Sequence, residues 1–297
     1  MHVKLSSTTS ENLKEKGILY VVATPIGNMA DITLRAIQTL RDVNLVAAED
    51  TRHTGRLLSY HKIKKPLISF HEHNEIKRSE ELVARLDAGE SIALVSNAGT
   101  PTVSDPGYRL VKRAIASKIN VVPIPGVSAA IAALSASGLP TDAFVFLGFL
   151  PRKKGKRQKE LKALVHERKT LIFYESPKRM LDLLNDMVGI LGNRYGVLTR
   201  ELTKRYEEFS YGSLTEIIDA VKVRAELKGE CTLVIAGNTA EKKSSPEALR
   251  KDILKALKDQ PGRLSEMARD LADHHGFSKN EVYEEALKLK KSIHESN

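Results

Sequence analysis

A single cysteine, Cys231, no tryptophan and an aromatic share of 5% are what this chain of 297 residues has least of. One cysteine excludes an intrachain disulfide and argues against a structural zinc site, and its place in the apolar run Cys231–Ala236 points to a buried thiol. No long apolar run occurs either. Residues 119–141 carry no charge, but Pro123, Pro125, Gly126 and several serines make them a strand, a turn and a small-residue helix, not a membrane span. The N-terminal residues are polar and charged without the apolar stretch of a signal peptide, so a cytosolic protein is expected. The Gly-x-Gly-x-x-Gly fingerprint of dinucleotide sites is missing. Gly148 and Gly155-Lys156 imitate a phosphate loop, but with six intervening residues and with Arg157 where Ser or Thr is needed.

What is abundant is positive charge. The formal net charge is +10, which favours a polyanionic partner, nucleic acid being the commoner case. The charge is concentrated: Arg152, Lys153, Lys154, Lys156, Arg157 and Lys159 fall within eight residues around Gly155. Such a run repels itself unless it is solvated or meets an anion, and with the net charge it reads as a polynucleotide-binding loop.

Organisation follows from periodicity. Ile18–Ala23, Asn44–Ala48, Leu67–Phe70 and Ile92–Val95 are short apolar runs, each followed by a helix-like pattern, and the alternation favours a parallel sheet. The central stretch is 91–107, SIALVSNAGTPTVSDPG, in which a buried strand breaks into the turns Gly99-Thr100-Pro101 and Asp105-Pro106-Gly107 before a helix from Tyr108. A strand ending in a glycine-bearing loop ahead of a helix is where open α/β sheets bind ligands. Thr24-Pro25-Ile26-Gly27-Asn28 is a second turn of this kind, and Asp31 is the expected N-cap of the helix after it. Phe144–Phe149 begins a second α/β unit, with strands at Thr170–Tyr174 and Tyr195–Leu198.

Beyond the polar linker 241–245 the pattern is three short helices, with apolar stripes at Leu249/Ile253/Leu257 and Leu264/Met267/Ala268/Leu271. A capping box at Ser278 and Glu281 opens the last one, which is basic at its end. This reads as a helix-turn-helix-like module or as a plain helical cap. The expected divisions are a tail over 1–16, α/β lobes over 17–124 and 125–240, and the helical module over 241–297. His71 and His73 lie in one strand-end turn, but no third ligand accompanies them, so hydrogen-bonding or substrate contact is expected there and no metal.

Eight motifs in order, LYVVATPIGNMADIT, VAAEDTRHTGRLL, FHEHNE, SNAGTPTVSDPGY, PIPGVSAAIAAL, GFLPRKKGKR, FYESPKR and TRELTKRYEE, resemble the bacterial small-subunit ribosomal RNA (cytidine-2′-O)-methyltransferase I family, of the tetrapyrrole-methylase-like class. The resemblance runs from about Ile18 to Gly237, and the helical module also fits it. It implies a two-lobed α/β fold, S-adenosylmethionine held between the lobes, and a homodimer. It also implies 2′-O-methylation of a decoding-centre cytidine within the assembled small subunit. By motif match the cofactor loop falls on Gly99, Thr100, Pro101 and Val103, with Pro25 and Ser128-Ala129 as further contacts. Two departures stand out: Asn97 where the family usually has aspartate, and Ala236 where it has glutamate. For a weakly acidic hydroxyl a base is wanted, and Glu49, Asp50, Glu175 and Glu201, at strand-end turns, are the candidates. Arg52, Arg200 and Lys204 are candidates for positioning phosphate beside the basic loop. The competing expectations are methylation of a tetrapyrrole, another small acidic substrate or a protein side chain, and a non-enzymatic RNA-binding protein.

Overall fold

The computed structural model describes residues 15–224, 228–239, 245–259, 264–275 and 277–295. Most of the expected tail, linker residues 241–244 and the glycines Gly262 and Gly276, at which the sequence pattern separates the three expected helices, lie outside these described residues. The chain forms two compact units, Met1–Asn238 and Thr239–Asn297.

The first half of the large unit alternates strand and helix without interruption: β1 (Ile18–Val22), α1 (Leu34–Asp42), β2 (Leu45–Ala48), α2 (Thr51–Tyr60), β3 (Leu67–Ser69), α3 (Glu75–Asp87), β4 (Ile92–Val95), α4 (Tyr108–Ala116) and β5 (Asn120–Ile124). All five strands pair in parallel, in the order β3-β2-β4-β1-β5. Helices cover both faces, so the strands need apolar residues on both sides, which is why their sequences are continuous apolar runs. Val46 and Ala48 pack with Leu40 and Leu57 on one face, while Leu45 and Ala47 pack with Leu82 and Leu110 on the other. Each fully buried leucine there contributes about 1.5–3 kcal/mol. The chain steps outward from β1 to β2 and β3, then returns to place β4 between β2 and β1. That reversal opens a crevice at the C-terminal ends of β1 and β4.

Asp31 does not cap α1. It sits in a 3₁₀ turn over Met29–Asp31, which Asn28 caps by accepting the Ala30 N–H at 3.0 Å. The extra turn moves the helix start, and Thr33 accepts the Ala36 N–H instead.

The second half contains α5 (Ala129–Ser135), β6 (Phe144–Phe149), α6 (Lys154–Ala163), β7 (Thr170–Glu175), α7 (Pro177–Leu191), β8 (Tyr195–Arg200), β9 (Glu208–Ser213), α8 (Leu214–Lys222) and β10 (Cys231–Ile235). Its sheet, ordered β6-β7-β10-β8-β9, is mixed: only β6 and β7 run parallel. Simple strand–helix alternation fails because β8 and β9 follow one another as an antiparallel pair. One face of this sheet packs on α6, α7 and α8 through Leu161, Leu183, Met187 and Ile217. The other carries Ile172 and Val234 against the small residues Ala130 and Ala133 of α5 and against Ile26 from the β1 loop. The alanines let α5 approach closely and seat the two halves on each other.

The small unit consists of α9 (Pro246–Asp259), α10 (Leu264–His275) and α11 (Lys279–Glu295). Leu249, Ile253 and Leu257 meet Ala268, Ala272, Val282 and Ala286 in its own core. The capping box forms: Ser278 Oγ accepts the Glu281 N–H at 3.2 Å, and the Ser278 N–H donates to Glu281 Oε2 at 2.7 Å. Among the described residues no helix is long and apolar enough to cross a membrane.

Candidate active site

The loops after β1 and β4 clasp each other. Thr24 N–H donates to the Gly99 carbonyl at 2.9 Å and Gly99 N–H to the Thr24 carbonyl at 3.0 Å, an isolated two-residue bridge. Gly99 turns with φ +74°, the left-handed region that glycine enters freely. Thr102 and Ser104 follow at φ +74° and +65°, so the loop is held in a conformation that costs about 1–3 kcal/mol per residue and is characteristic of ligand clamps.

Against this loop lies a cavity of about 320 Å³. Gly99, Thr100, Val103, Ser128 and Ala129 line it, five of the residues that the motif match assigned to the cofactor. The other two are placed differently. Pro101 is buried within its turn, and Pro25 faces a second cavity of about 370 Å³. The first cavity also takes Asp105, Tyr174 and Glu230, none of them singled out from sequence. The Tyr174 hydroxyl accepts the Ala130 N–H at 3.0 Å, tying the second sheet to the start of α5, and burial raises the pKa of its phenol above the ordinary value. Burial and the neighbouring Glu49 push the pKa of the Asp105 carboxyl up to about 6, against a hydrogen bond from Ser96. The signal for Asp105 was available, since it belongs to the Ser-Asp-Pro-Gly turn that follows β4.

The second cavity is the more polar. Asp50, His53, Arg56, Asn97 and Lys204 line it, and Ile26, Ala98 and Glu230 line both cavities. The two spaces therefore share a wall.

The four carboxylates expected as bases do not converge. Asp50 borders the second cavity, but its Oδ1 accepts the Arg52 and His53 N–H groups and so caps α2, which together with the Arg52 side chain lowers its pKa below the ordinary value. Glu49 Oε2 accepts the Asn97 N–H at 3.0 Å. Asn97 thus uses its backbone here, while its buried Oδ1 has no hydrogen-bond partner among the described residues. Glu175 borders the first cavity, but its side chain has 0% exposure and is paired to Arg179 at 3.0 Å and to the Ser176 N–H at 2.7 Å. Glu201 borders neither cavity; its Oε1 accepts Lys204 Nζ at 2.9 Å and the Glu230 N–H at 3.0 Å. Burial opposes its charge, yet these donors hold its pKa below the ordinary value.

The basic run is also divided. Arg152, Lys153, Lys154, Lys156 and Lys159 are exposed, beginning three residues after Phe149, which borders the first cavity. The run is not a loop throughout, since α6 starts at Lys154. Helical spacing turns Arg157 inward with Leu161, and its guanidinium pairs with the buried Asp186 through Nε at 2.8 Å and Nη2 at 2.6 Å. Arg157 is thereby withdrawn from the RNA-facing set. Arg200 is likewise engaged, sharing Glu208 with Arg224, while Arg52 is exposed beside Asp50. His71 and His73 stack edge-on at 5.8 Å, and Asn74 lies 3.3 Å from the His71 ring. Among the described residues no group of three or more metal-ligating side chains occurs.

The profile of the tetrapyrrole (corrin/porphyrin) methylases matches residues 18–218. A ribosomal RNA small subunit methyltransferase I of Synechocystis sp. is 48% identical over 275 residues, 92% of this chain and 98% of that protein. Its counterpart in Halalkalibacterium halodurans is 46% identical over 275 residues, covering 91% and 94%. The chain belongs to the ribosomal RNA small subunit methyltransferase I family. That family sits within the tetrapyrrole methylases, and the expected fold is borne out. A solved uroporphyrin-III C-methyltransferase from Thermus thermophilus, complexed with S-adenosyl homocysteine, superposes with a TM-score of 0.54 at 16% identity, covering 74% of this chain and 97% of that one. The methyltransferase I relatives thus share sequence beyond the methylase profile, whose match ends at residue 218.

Proposed function

We propose that this protein transfers a methyl group from S-adenosylmethionine to the ribose 2′-hydroxyl of a cytidine in small-subunit ribosomal RNA, within the assembled subunit, as a cytoplasmic homodimer. The observation that carries this reading is the shared wall between two unlike cavities, in a chain nearly half identical to proteins named for methylating that RNA. The first cavity fits the cofactor. Bare backbone at Gly99, hydroxyls of Thr100 and Ser128, and the Asp105 carboxyl offer acceptors to a cation, and none of its lining residues is Lys or Arg. When bound, the cofactor supplies an activated methyl group on a positively charged sulfur. The chain's own task is alignment: the Thr24–Gly99 clasp and the Tyr174–Ala130 contact hold the walls, and correct orientation is worth effective molarities of roughly 10⁵–10⁸ M.

The RNA needs the opposite charge. Arg56 borders the polar cavity, where Lys204 is already paired with Glu201 and Glu230, and the five exposed cations of 152–159 stand just beyond Phe149. We read the three-helix unit as a helix-turn-helix-like module for the same polynucleotide. Methylation of a tetrapyrrole is the second reading, prompted by the names of the matching profile and of the solved neighbour. The deciding experiment is transfer of labelled methyl to small subunits lacking the modification, to naked ribosomal RNA and to uroporphyrin, with the labelled atom mapped. Label on a cytidine 2′-oxygen, greatest on assembled subunits, is expected; label on the macrocycle alone refutes the reading.

A further inference from the structure

We infer that Glu230 is the proton acceptor for the attacking hydroxyl and that Lys204 is its positioning residue, an inference that rests on the function proposed above. Three residues border both cavities, Ile26, Ala98 and Glu230, and only Glu230 can take a proton. A hydroxyl that enters from the polar cavity to reach a methyl group in the other must pass this wall.

Asp105 borders the first cavity alone, away from the wall the two spaces share, and four other carboxylates near the site are occupied by structural bonds. Asp50 caps a helix, Glu49 holds the Asn97 backbone, Glu175 is buried against Arg179 and Glu201 receives two donors. An acceptor whose lone pairs are filled by fixed N–H groups is a poor base. The Glu230 side chain differs: it is 73% exposed, and among the described residues only its Oε2 is engaged, by Lys204 Nζ at 3.0 Å.

The support behind it is built from both halves of the unit. Glu201 and Glu230 are bonded twice, Glu201 N–H to the Glu230 carbonyl at 2.9 Å and Glu230 N–H to the Glu201 side-chain Oε1 at 3.0 Å. Gly229 takes φ +92°, and a Cβ there would lie 2.3 Å from Glu201 Oε1. Glu201 and Thr203 themselves adopt φ +52° and +65°. Thr203 Oγ1 accepts the Asn28 N–H at 3.0 Å, and the Lys204 stem crosses Gly27 so closely that a Cβ there would meet Lys204 Cγ at 2.4 Å. Lys204 is therefore fixed, and although burial works against its charge, Glu201 and Glu230 raise its pKa, so it stays a cation. It orients Glu230 and does not itself take the proton.

The step balances. The 2′-oxygen forms a bond to the methyl carbon, the carbon–sulfur bond breaks with its electron pair going to sulfur, and the hydroxyl proton passes to the Glu230 carboxylate.

The test compares the native protein with Glu230→Gln, Glu230→Ala, Lys204→Met and Lys204→Arg. Single-turnover transfer to unmodified small subunits should fall roughly 100-fold or more in Glu230→Gln, with the acidic limb of the rate–pH profile gone. Affinities for donor and subunit, measured by calorimetry, should stay within about twofold. Lys204→Met should lower the single-turnover rate, and Lys204→Arg should restore it, because the cation fixes the orientation of the carboxylate. An equilibrium readout stands beside these rates: without donor, the native protein should bind subunits carrying the 2′-hydroxyl about tenfold more tightly than subunits carrying the 2′-methoxy group, and Glu230→Ala should erase that preference. A native rate and acidic limb in Glu230→Gln, or an undiminished preference in Glu230→Ala, overturns the inference. Absence of 2′-O-transfer by the native protein would instead overturn the proposed function.

Discussion

Replacing Arg157 separates two uses of positive charge that look alike in sequence. The residue stands among five exposed cations, yet its own side chain is 5% exposed and its partner Asp186 8%. Asp186 is held by Arg157 through two nitrogens and by Gln158 Nε2 at 2.9 Å, and despite burial these bonds keep its pKa below the ordinary value. Arg157→Ala leaves that carboxylate buried with only the glutamine. Breaking one side of a buried pair costs about 3–5 kcal/mol, whereas replacing both partners by apolar groups of similar volume is close to neutral. For a unit of this size each kcal/mol lowers Tm by roughly 2–4 °C, so the single variant should melt roughly 6–20 °C lower. Arg157→Met combined with Asp186→Leu should recover most of that stability. Calorimetric melting and urea titration measure stability, and subunit binding under conditions where both proteins remain folded measures the other role. An Arg157→Ala protein that melts like the native one and binds RNA more weakly would refute the reasoning.

The exposed cations should behave in the reverse manner. Alanine at Arg152, Lys153, Lys154, Lys156 or Lys159 should leave melting unchanged and reduce the slope of log affinity against log salt by about 0.7–0.9 for each phosphate no longer neutralised. Asp105, with its pKa raised to about 6, should link donor binding to pH: a cationic donor favours the ionised carboxylate, so affinity should weaken as pH falls below about 6, with proton release on binding near that pH. Calorimetry in buffers of different ionisation enthalpy reads this release, and Asp105→Asn should abolish it. Because that group's pKa is raised on folding, its stabilising effect is complete below about 3.8 and is lost as pH rises through about 6. Asp105→Asn should therefore stabilise the apo protein above pH 6, by at most about 3 kcal/mol. Glu208 has the opposite sign. Hydrogen bonds from Arg224 and Arg200 hold its pKa down to about 2 from 4.5, so its contribution is present above 4.5 and lost as pH falls toward 2. After allowance for solvent screening that contribution is about 1–2 kcal/mol, and Glu208→Gln should flatten the acid limb of the stability curve measured by urea titration.

The strands of the first sheet were legible because a parallel sheet covered on both faces demands continuous apolar runs, and the two ligand loops announced themselves by glycine and proline after β1 and β4. The motifs carried the family. β9 and α8 were not read, because EFSYGS has no apolar run. The Ser213-x-x-Glu216 capping box that starts α8 was a readable signal all the same. Arg157 also left a trace: with Leu161 it makes a spacing of four on α6, the interval that puts two side chains on one face.

Local sequence therefore determined what depends on near neighbours: which runs are strands, where turns break them, where helices are capped and where charge accumulates. Only the folded chain decided which charges are spent internally. Arg157 meets Asp186 across 29 positions, and Lys204 meets Glu230 across 26. The reason is physical. A cation in water and a cation in a pocket carry the same letter, and desolvation, which separates a contact surface from a structural pair, is set by what distant segments bring to the same place.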